Sequence, residues 1–136
     1  MKIKTVSKLF FLVVLAAGLL MFQSSTGAIG DDITIEIQVS PNVLNLNNQG
    51  EVVTIHTTID YGLVVGSSVT LNGLEISHWK ADDRGDFVAK FRMSAVKALP
   101  LNIGGYNELV LTGQTIYGET FSGSDEIKVV KNIPKK

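Results

Sequence analysis

From Ile33 onward the chain places an apolar residue at every second position, and that period of two constrains the fold more than any other feature. Ile33, Ile35, Ile37 and Val39 alternate with Asp32, Thr34, Glu36 and Gln38. Successive side chains of a strand point to opposite faces, so this spacing lines one face with β-branched hydrocarbon and leaves the other wet. The period returns over residues 51–59, where Val53, Ile55 and Ile59 oppose Thr54, His56 and Thr58. It returns again where Phe87, Ala89, Phe91 and Met93 oppose Val88, Lys90 and Arg92. Helical spacing is nearly absent, and the pattern argues strands.

Turn chemistry cuts these runs into short pieces. Pro41 stops the first, because proline cannot donate to a ladder. A short strand over Val43, Leu44 and Leu46 runs into Asn47-Asn48-Gln49-Gly50. Val69 and Leu71 lead into Asn72-Gly73, a two-residue hairpin signal, and Leu74 and Ile76 leave it. Residues 108–116 and 120–130 form a last hairpin around Tyr117-Gly118-Glu119, with Phe121, Ile127 and Val129 on one side. One helical turn is expected from Ser94 to Leu99, with Ser94 as N-cap and Pro100 just beyond. Roughly seven to eight strands with a turn signal about every ten residues predict an all-β fold, an antiparallel two-sheet sandwich. A closed barrel would show the same alternation.

The first thirty residues read differently. Lys2, Lys4 and Lys8 precede an uncharged apolar run from Leu9 to Phe22, and the small and polar stretch Gln23 to Gly30 follows. This is the layout of a secretory signal peptide. As a helix the run would span roughly 21 Å against about 30 Å of bilayer hydrocarbon, short for a permanent anchor. Cleavage is expected after Ala28 or after Gly30; if uncleaved, this segment is the chain's one attachment to a membrane. The expected division is a signal-peptide helix over 1–30, a sandwich over 31–131 and a short basic tail over 132–136. The expected location is secreted or periplasmic.

Without the leader the chain keeps nine Lys and Arg (twelve less Lys2, Lys4 and Lys8) against thirteen Asp and Glu, a net charge of minus four. That balance argues against a nucleic-acid partner. The chain contains no cysteine, so there is no lipid-anchoring thiol, no disulfide and no cysteine-based metal site. Stability must come from the apolar core.

Chemistry-bearing residues are sparse. In Trp79-Lys80-Ala81-Asp82-Asp83-Arg84-Gly85-Asp86-Phe87, Asp82 to Gly85 match a type I turn, with the aspartate placed to accept local N–H groups and the glycine free to adopt positive φ. Asp82, Asp83 and Asp86 are oxygen ligands and the candidates for calcium, the one cofactor the sequence suggests. Calcium takes six to eight such ligands, and the spacing departs from a twelve-residue calcium loop. Asp60 or Asp125 would have to complete the set. Arg84-Gly85-Asp86 is also the tripeptide integrins read, although nothing else in the chain indicates such a receptor. Trp79 is the candidate for ligand stacking; its parity is opposite to that of Leu74 and Ile76, which points it to solvent unless the strand is irregular, whereas a mid-chain tryptophan of a sandwich is more often core, and core is the favoured reading. Tyr61, Tyr106 and Tyr117 lie near turns. His56 and His78 have no metal-ligand spacing, Ser94-Ala95-Val96-Lys97 lacks the companion motifs of serine acylases, and Gly104-Gly105 lacks the lysine and helix of a phosphate loop. No cofactor-binding motif and no catalytic set emerges.

Ser68-Val69-Thr70-Leu71-Asn72-Gly73, the stretch Trp79 to Asp86 with Val88 to Phe91, and Leu111-Thr112-Gly113 with Phe121-Ser122-Gly123-Ser124-Asp125-Glu126-Ile127 resemble immunoglobulin-like β-sandwich modules of secreted bacterial and archaeal proteins. The resemblance runs over about Ile33 to Val130. It implies an immunoglobulin-like sandwich without catalytic residues, acting by binding or as a structural unit. The partner would be another envelope or extracellular protein, or a polysaccharide. The alternatives are a carbohydrate-binding module using exposed aromatic rings and a calcium-dependent adhesion module. Residues 61–66 depart from similar modules, which are longer and more acidic there.

Overall fold

The computed structural model describes residues 32–131; the leader, its cleavage site and the basic tail lie outside the described residues. Within them the chain forms two facing sheets. The first contains β1 (Asp32–Thr34), β3 (Val43–Asn45), β5 (Thr70–Leu71), β6 (Leu74–Glu75), β9 (Tyr106–Gln114) and β10 (Thr120–Val130). The second contains β2 (Ile37–Ser40), β4 (Val52–Asp60), β7 (His78–Ala81) and β8 (Asp86–Arg92), in the order β2-β4-β8-β7. Inward residues of both sheets interdigitate: Val53, Ile55, Phe87 and Phe91 from one side meet Leu71, Leu109, Leu111, Phe121 and Ile127 from the other, all essentially without exposure. The expected immunoglobulin-like sandwich is the fold, and a closed barrel is not.

The first apolar run is not one strand. Ile35 still donates its N–H to Ser122 O at 2.9 Å, on β10, whereas Glu36 O accepts the N–H of Thr58 at 3.1 Å, on β4. Between these two residues the chain leaves one sheet and joins the other. Both sheet edges face the same core, so Ile35 and Val39 remain buried across the switch and the alternation gives no sign of it. Beyond Pro41 the chain crosses back as β3. Both β1 and β3 run parallel to β10, Ile33 opposite Phe121 and Leu44 opposite Val129, so the sandwich is not antiparallel throughout.

β10 therefore has a partner on each side: β9 along Thr120 to Lys128, and β1 and β3 in succession along the other edge. In the interval between them, the Asp125 carboxylate reaches across to β2 and accepts the N–H of Val39 at 2.9 Å. A charged side chain here replaces the missing strand neighbour and ties the two sheets together. Opposite Phe121 in the register stands Gly113, where a Cβ would lie 2.6 Å from the Phe121 ring and 2.9 Å from Val69. The ring covers the glycine and fills the space a side chain would take.

Three further details depart from the sequence pattern. Val88, expected on the wet face, is fully buried, because it sits between His56 of β4 and Lys80 of β7 on the central strand of its sheet. Thr57 points inward with Ile55 and Ile59, and its hydroxyl donates to Phe87 O at 2.6 Å, which removes the cost of burying it. The helical turn α1 spans Met93–Lys97 and is capped by Arg92, not Ser94, with no side-chain cap bond. Met93 N–H is still held by Glu51 O at 2.9 Å and its side chain is buried, so the cap falls two residues earlier than capping chemistry suggests.

Replacing Asp125 with alanine leaves the Val39 N–H facing β10 without its acceptor. The expected loss is about 1–3 kcal/mol of unfolding free energy, read as a lower urea midpoint at unchanged slope. An unchanged midpoint would show that water substitutes fully for the carboxylate.

Candidate functional site

The loops at one pole of the sandwich are fastened to one another by their own polar groups. β4 ends at Asp60, whose carboxylate accepts the N–H of Gly62 at 2.7 Å and caps the short 3-10 turn Tyr61–Leu63. Tyr61 N–H donates to Gly85 O at 2.8 Å, and its ring stacks on Phe87 with centroids 6.2 Å apart. A second 3-10 turn, Gly66–Ser68, is held by the Ser68 hydroxyl, which donates to Val65 O at 2.6 Å and accepts the N–H of Gln114 at 2.9 Å. Val65 N–H donates to Gln114 O and Ile116 N–H to Leu63 O, joining this segment to the end of β9. In the β9–β10 turn the buried Thr115 hydroxyl accepts the N–H groups of Tyr117 and Glu119 and donates to the Glu119 carboxylate.

Among its polar turn residues this pole presents four exposed apolar or aromatic side chains. Tyr61 is 40% exposed, Val65 38%, Ile116 56% and Tyr117 74%. Two of the three tyrosines thus share one end, brought together by loops some fifty residues apart. Tyr106 is at the other pole, opposite Lys128. Val65 and Ile116 escaped the sequence reading. The signal available was that both follow or precede polar turn residues within runs whose other apolar members face inward.

The Asp82–Asp86 loop closes as its sequence predicts. Gly85 adopts φ of 89°, Gly85 N–H donates to Asp82 O at 3.0 Å, and the Asp82 carboxylate accepts the N–H groups of Arg84 at 2.8 Å and Asp86 at 2.9 Å. Asp83 is exposed and Asp86 half-buried at the start of β8. A shallow hollow of about 240 Å³ lies between His56, Asp82, Asp83 and Arg84. Among the described residues, no three His, Cys, Asp or Glu side chains gather as a metal-binding set. The three candidate calcium ligands do not converge, and Asp82 already holds two backbone donors.

Those donors have an electrostatic consequence. The hydrogen bond from the Asp86 N–H is the main cause that lowers the Asp82 carboxyl below its ordinary value of 3.8; desolvation, next in size, opposes it, and the Arg84 N–H, the Arg84 guanidinium and the Gly85 N–H each add a smaller lowering effect. A depressed folded-state value means the carboxylate stabilises the fold above the unfolded-state pKa, and that contribution disappears as pH falls through the folded-state value. The stability difference between the native chain and Asp82→Ala is therefore expected to be full at neutral pH and to shrink below about pH 4. Urea midpoints of both proteins at several pH values check this; a gap that widens on acidification would contradict it.

Trp79 faces inward because the chain changes sheets just before it. β6 belongs to the first sheet and β7 to the second, with Ser77 N–H already donating to Lys90 O at 2.9 Å. The crossing at Ile76-Ser77 shifts the parity by one. Trp79 is half-buried, packs against the core and lies over Gly66, where any Cβ would overlap its Cε2 and Nε1 atoms. The indole thus closes the seam between β7 and the Gly66–Ser68 turn, leaving it as a packing residue with one open edge. Gly66→Ala is expected to displace the ring and cost about 1–3 kcal/mol. Because Trp79 is the one tryptophan in the chain, a red-shifted emission with stronger iodide quenching is the direct readout; an unchanged spectrum would place the ring elsewhere.

Two grooves run along the opposite seam, where β2 departs from β10. One, of about 450 Å³, is bordered by Thr34, Glu36, Glu108 and Ser124. The other, of about 410 Å³, is bordered by Gln38, His56, Arg84, Asp125 and Glu126; they share Glu36 and Ile37. The second gathers His56 and Arg84 with the carboxylates of Glu36, Asp125 and Glu126, of which Asp125 is engaged by the Val39 N–H.

No protein-family model matches this chain, and no curated protein matches it. Among solved structures, one from work on host cell surface retention of a 1.5-MDa bacterial ice-binding adhesin is similar, with 21% identity and a TM-score of 0.44. The match covers 76% of this chain and 33% of that one, so the matched region spans about a third of the length of the solved chain.

Proposed function

We propose that the chain is an exported, non-catalytic immunoglobulin-like module that acts by binding or as a structural unit outside the cytoplasm. One observation carries the reading: six polar side chains of the strands and loops are engaged in holding backbone. Asp60, Asp82, Asp125, Ser68, Thr57 and Thr115 each satisfy a main-chain group. Such groups rigidify a surface and leave it for contact rather than for turnover.

The contact surface this reading favours is the loop pole bearing Tyr61, Val65, Ile116 and Tyr117. Aromatic and aliphatic side chains on a rigid base are the composition of binding hot spots. An envelope or extracellular protein, or a polysaccharide, fits such a surface, and export follows from the leader pattern over 1–30. Calcium is not assigned a role.

The full chain, assayed against a panel of ester, glycoside and peptide substrates, is expected to show no turnover above the buffer rate. Turnover that survives repurification and is lost in a single-residue variant at the loop pole would overturn the reading.

A further inference from the structure

Exposed apolar side chains on this sandwich are sorted to its two ends. Apart from Tyr61, Val65, Ile116 and Tyr117 at the loop pole, the large hydrophobic residues left exposed among the described residues are Val43, Val52, Ile103 and Tyr106. All four lie at the opposite pole. Val43 begins β3 and Tyr106 begins β9, one on each side of Lys128 of β10. Val52 begins β4 opposite Arg92, and Ile103 sits in the loop whose Gly104 N–H donates to Val129 O at 2.7 Å. Exposed apolar residues scattered singly over a surface need no explanation, whereas a set gathered at one place marks a contact.

Charge divides between the same two ends. The loop pole carries Asp32, Asp60, Asp82, Asp83, Asp86 and Glu119 against Arg84. The opposite pole carries Arg92, Lys97, Lys128 and Lys131 against Glu51. Its loops are fastened as those of the first pole are: the Asn107 side chain accepts the Asn102 N–H at 2.6 Å and donates to Asn102 O at 3.0 Å. The Lys97 ammonium donates to Asn48 O and joins the helical turn to the β3–β4 loop. Both surfaces are therefore held in place before any partner arrives, which reduces the ordering cost of contact.

We infer that separate copies of the chain join head to tail, the acidic loop pole of one seated on the basic pole of the next. The inference rests on the reading of the loop pole as a contact surface, and it names a second copy as the partner there. A two-fold dimer would bring like poles together and set charges of one sign against each other; unlike poles attract, and each brings four apolar side chains to the contact. Because the joined surfaces differ, a pair still offers one free pole of each sign, and association does not stop at two. Attraction between exposed charges reaches about 30 Å at 0.01 M salt and about 10 Å at 0.1 M, so the contact is strongest at low ionic strength.

Sedimentation velocity of the full chain over a range of concentrations reads the association, and two double variants of the full chain locate it. Asp83→Lys with Tyr117→Ser spoils the loop pole; Arg92→Glu with Tyr106→Ser spoils the opposite one. All four positions are exposed. The mean sedimentation coefficient of the native chain is expected to rise with concentration, and the concentration required to increase at least about tenfold between 0.01 and 0.15 M salt. Each variant alone is expected to remain a single chain. An equal mixture of the two is expected to form a one-to-one pair and nothing larger, since a single pairing of intact poles is left. A native chain that stays single at every concentration, a variant that still associates alone, or a mixture that stays as single chains would overturn the inference and leave the module reading intact. Turnover in the substrate panel would overturn that reading and leave the mixing result untouched.

Discussion

Three strands of the first sheet, β1, β3 and β9, are assembled directly on the backbone of β10, and β5 and β6 follow through β9. Eleven residues long, β10 lies between β9 on one side and β1 and β3 on the other, and its Asp125 reaches β2 in the second sheet. A strand inside a sheet must find partners for the N–H and C=O groups of both edges, because unpaired buried groups cost more than the bonds contribute. Here two separate pieces of the N-terminal chain, β1 and β3, supply the second edge. The core then follows: Phe121, Ile127 and Val129 point inward from β10 and meet residues brought by both sheets.

Most of the secondary structure was legible because hydrophobic period and turn chemistry agree along this chain. Asn72 at φ of 49° and Gly73 at 86° make the two-residue turn that Asn-Gly announces, and Gly118 at 85° closes the last hairpin. What the sequence conceals is the sheet to which a strand belongs. A period of two reports inward and outward, and it does so identically in both halves of a sandwich. That is why the division of the first run between Ile35 and Glu36, and the parallel pairing of β1 and β3, have no signature. The same blindness accounts for Trp79, whose parity is read correctly only when the crossing at Ile76-Ser77 is known.

Sites were less legible than strands. Asp82 and Gly85 behave as their turn chemistry requires, and Asp83 and Asp86 are then left as an exposed and a half-buried carboxylate that do not converge. The loop pole could not be seen, since Tyr61, Val65, Ile116 and Tyr117 become neighbours only after Leu63 O meets Ile116 N–H and Gly85 O meets Tyr61 N–H. Backbone bonds between loops carry no residue preference strong enough to read. Buried polar groups such as Thr57 and Thr115 were hidden for a related reason: their acceptors and donors come from distant main chain.

The dependence on β10 also orders events in time. Residues 120–130 are contributed after every other described strand, so β1 and β3 have no neighbour in their sheet until β10 has been made. Contacts between the first and last strands are the most distant in sequence, and closing them is the slow part of folding such a topology. A nascent chain of this kind stays open while it is being made. Were the chain exported as we propose, that open form is what a membrane translocation channel would thread, with closure on the far side.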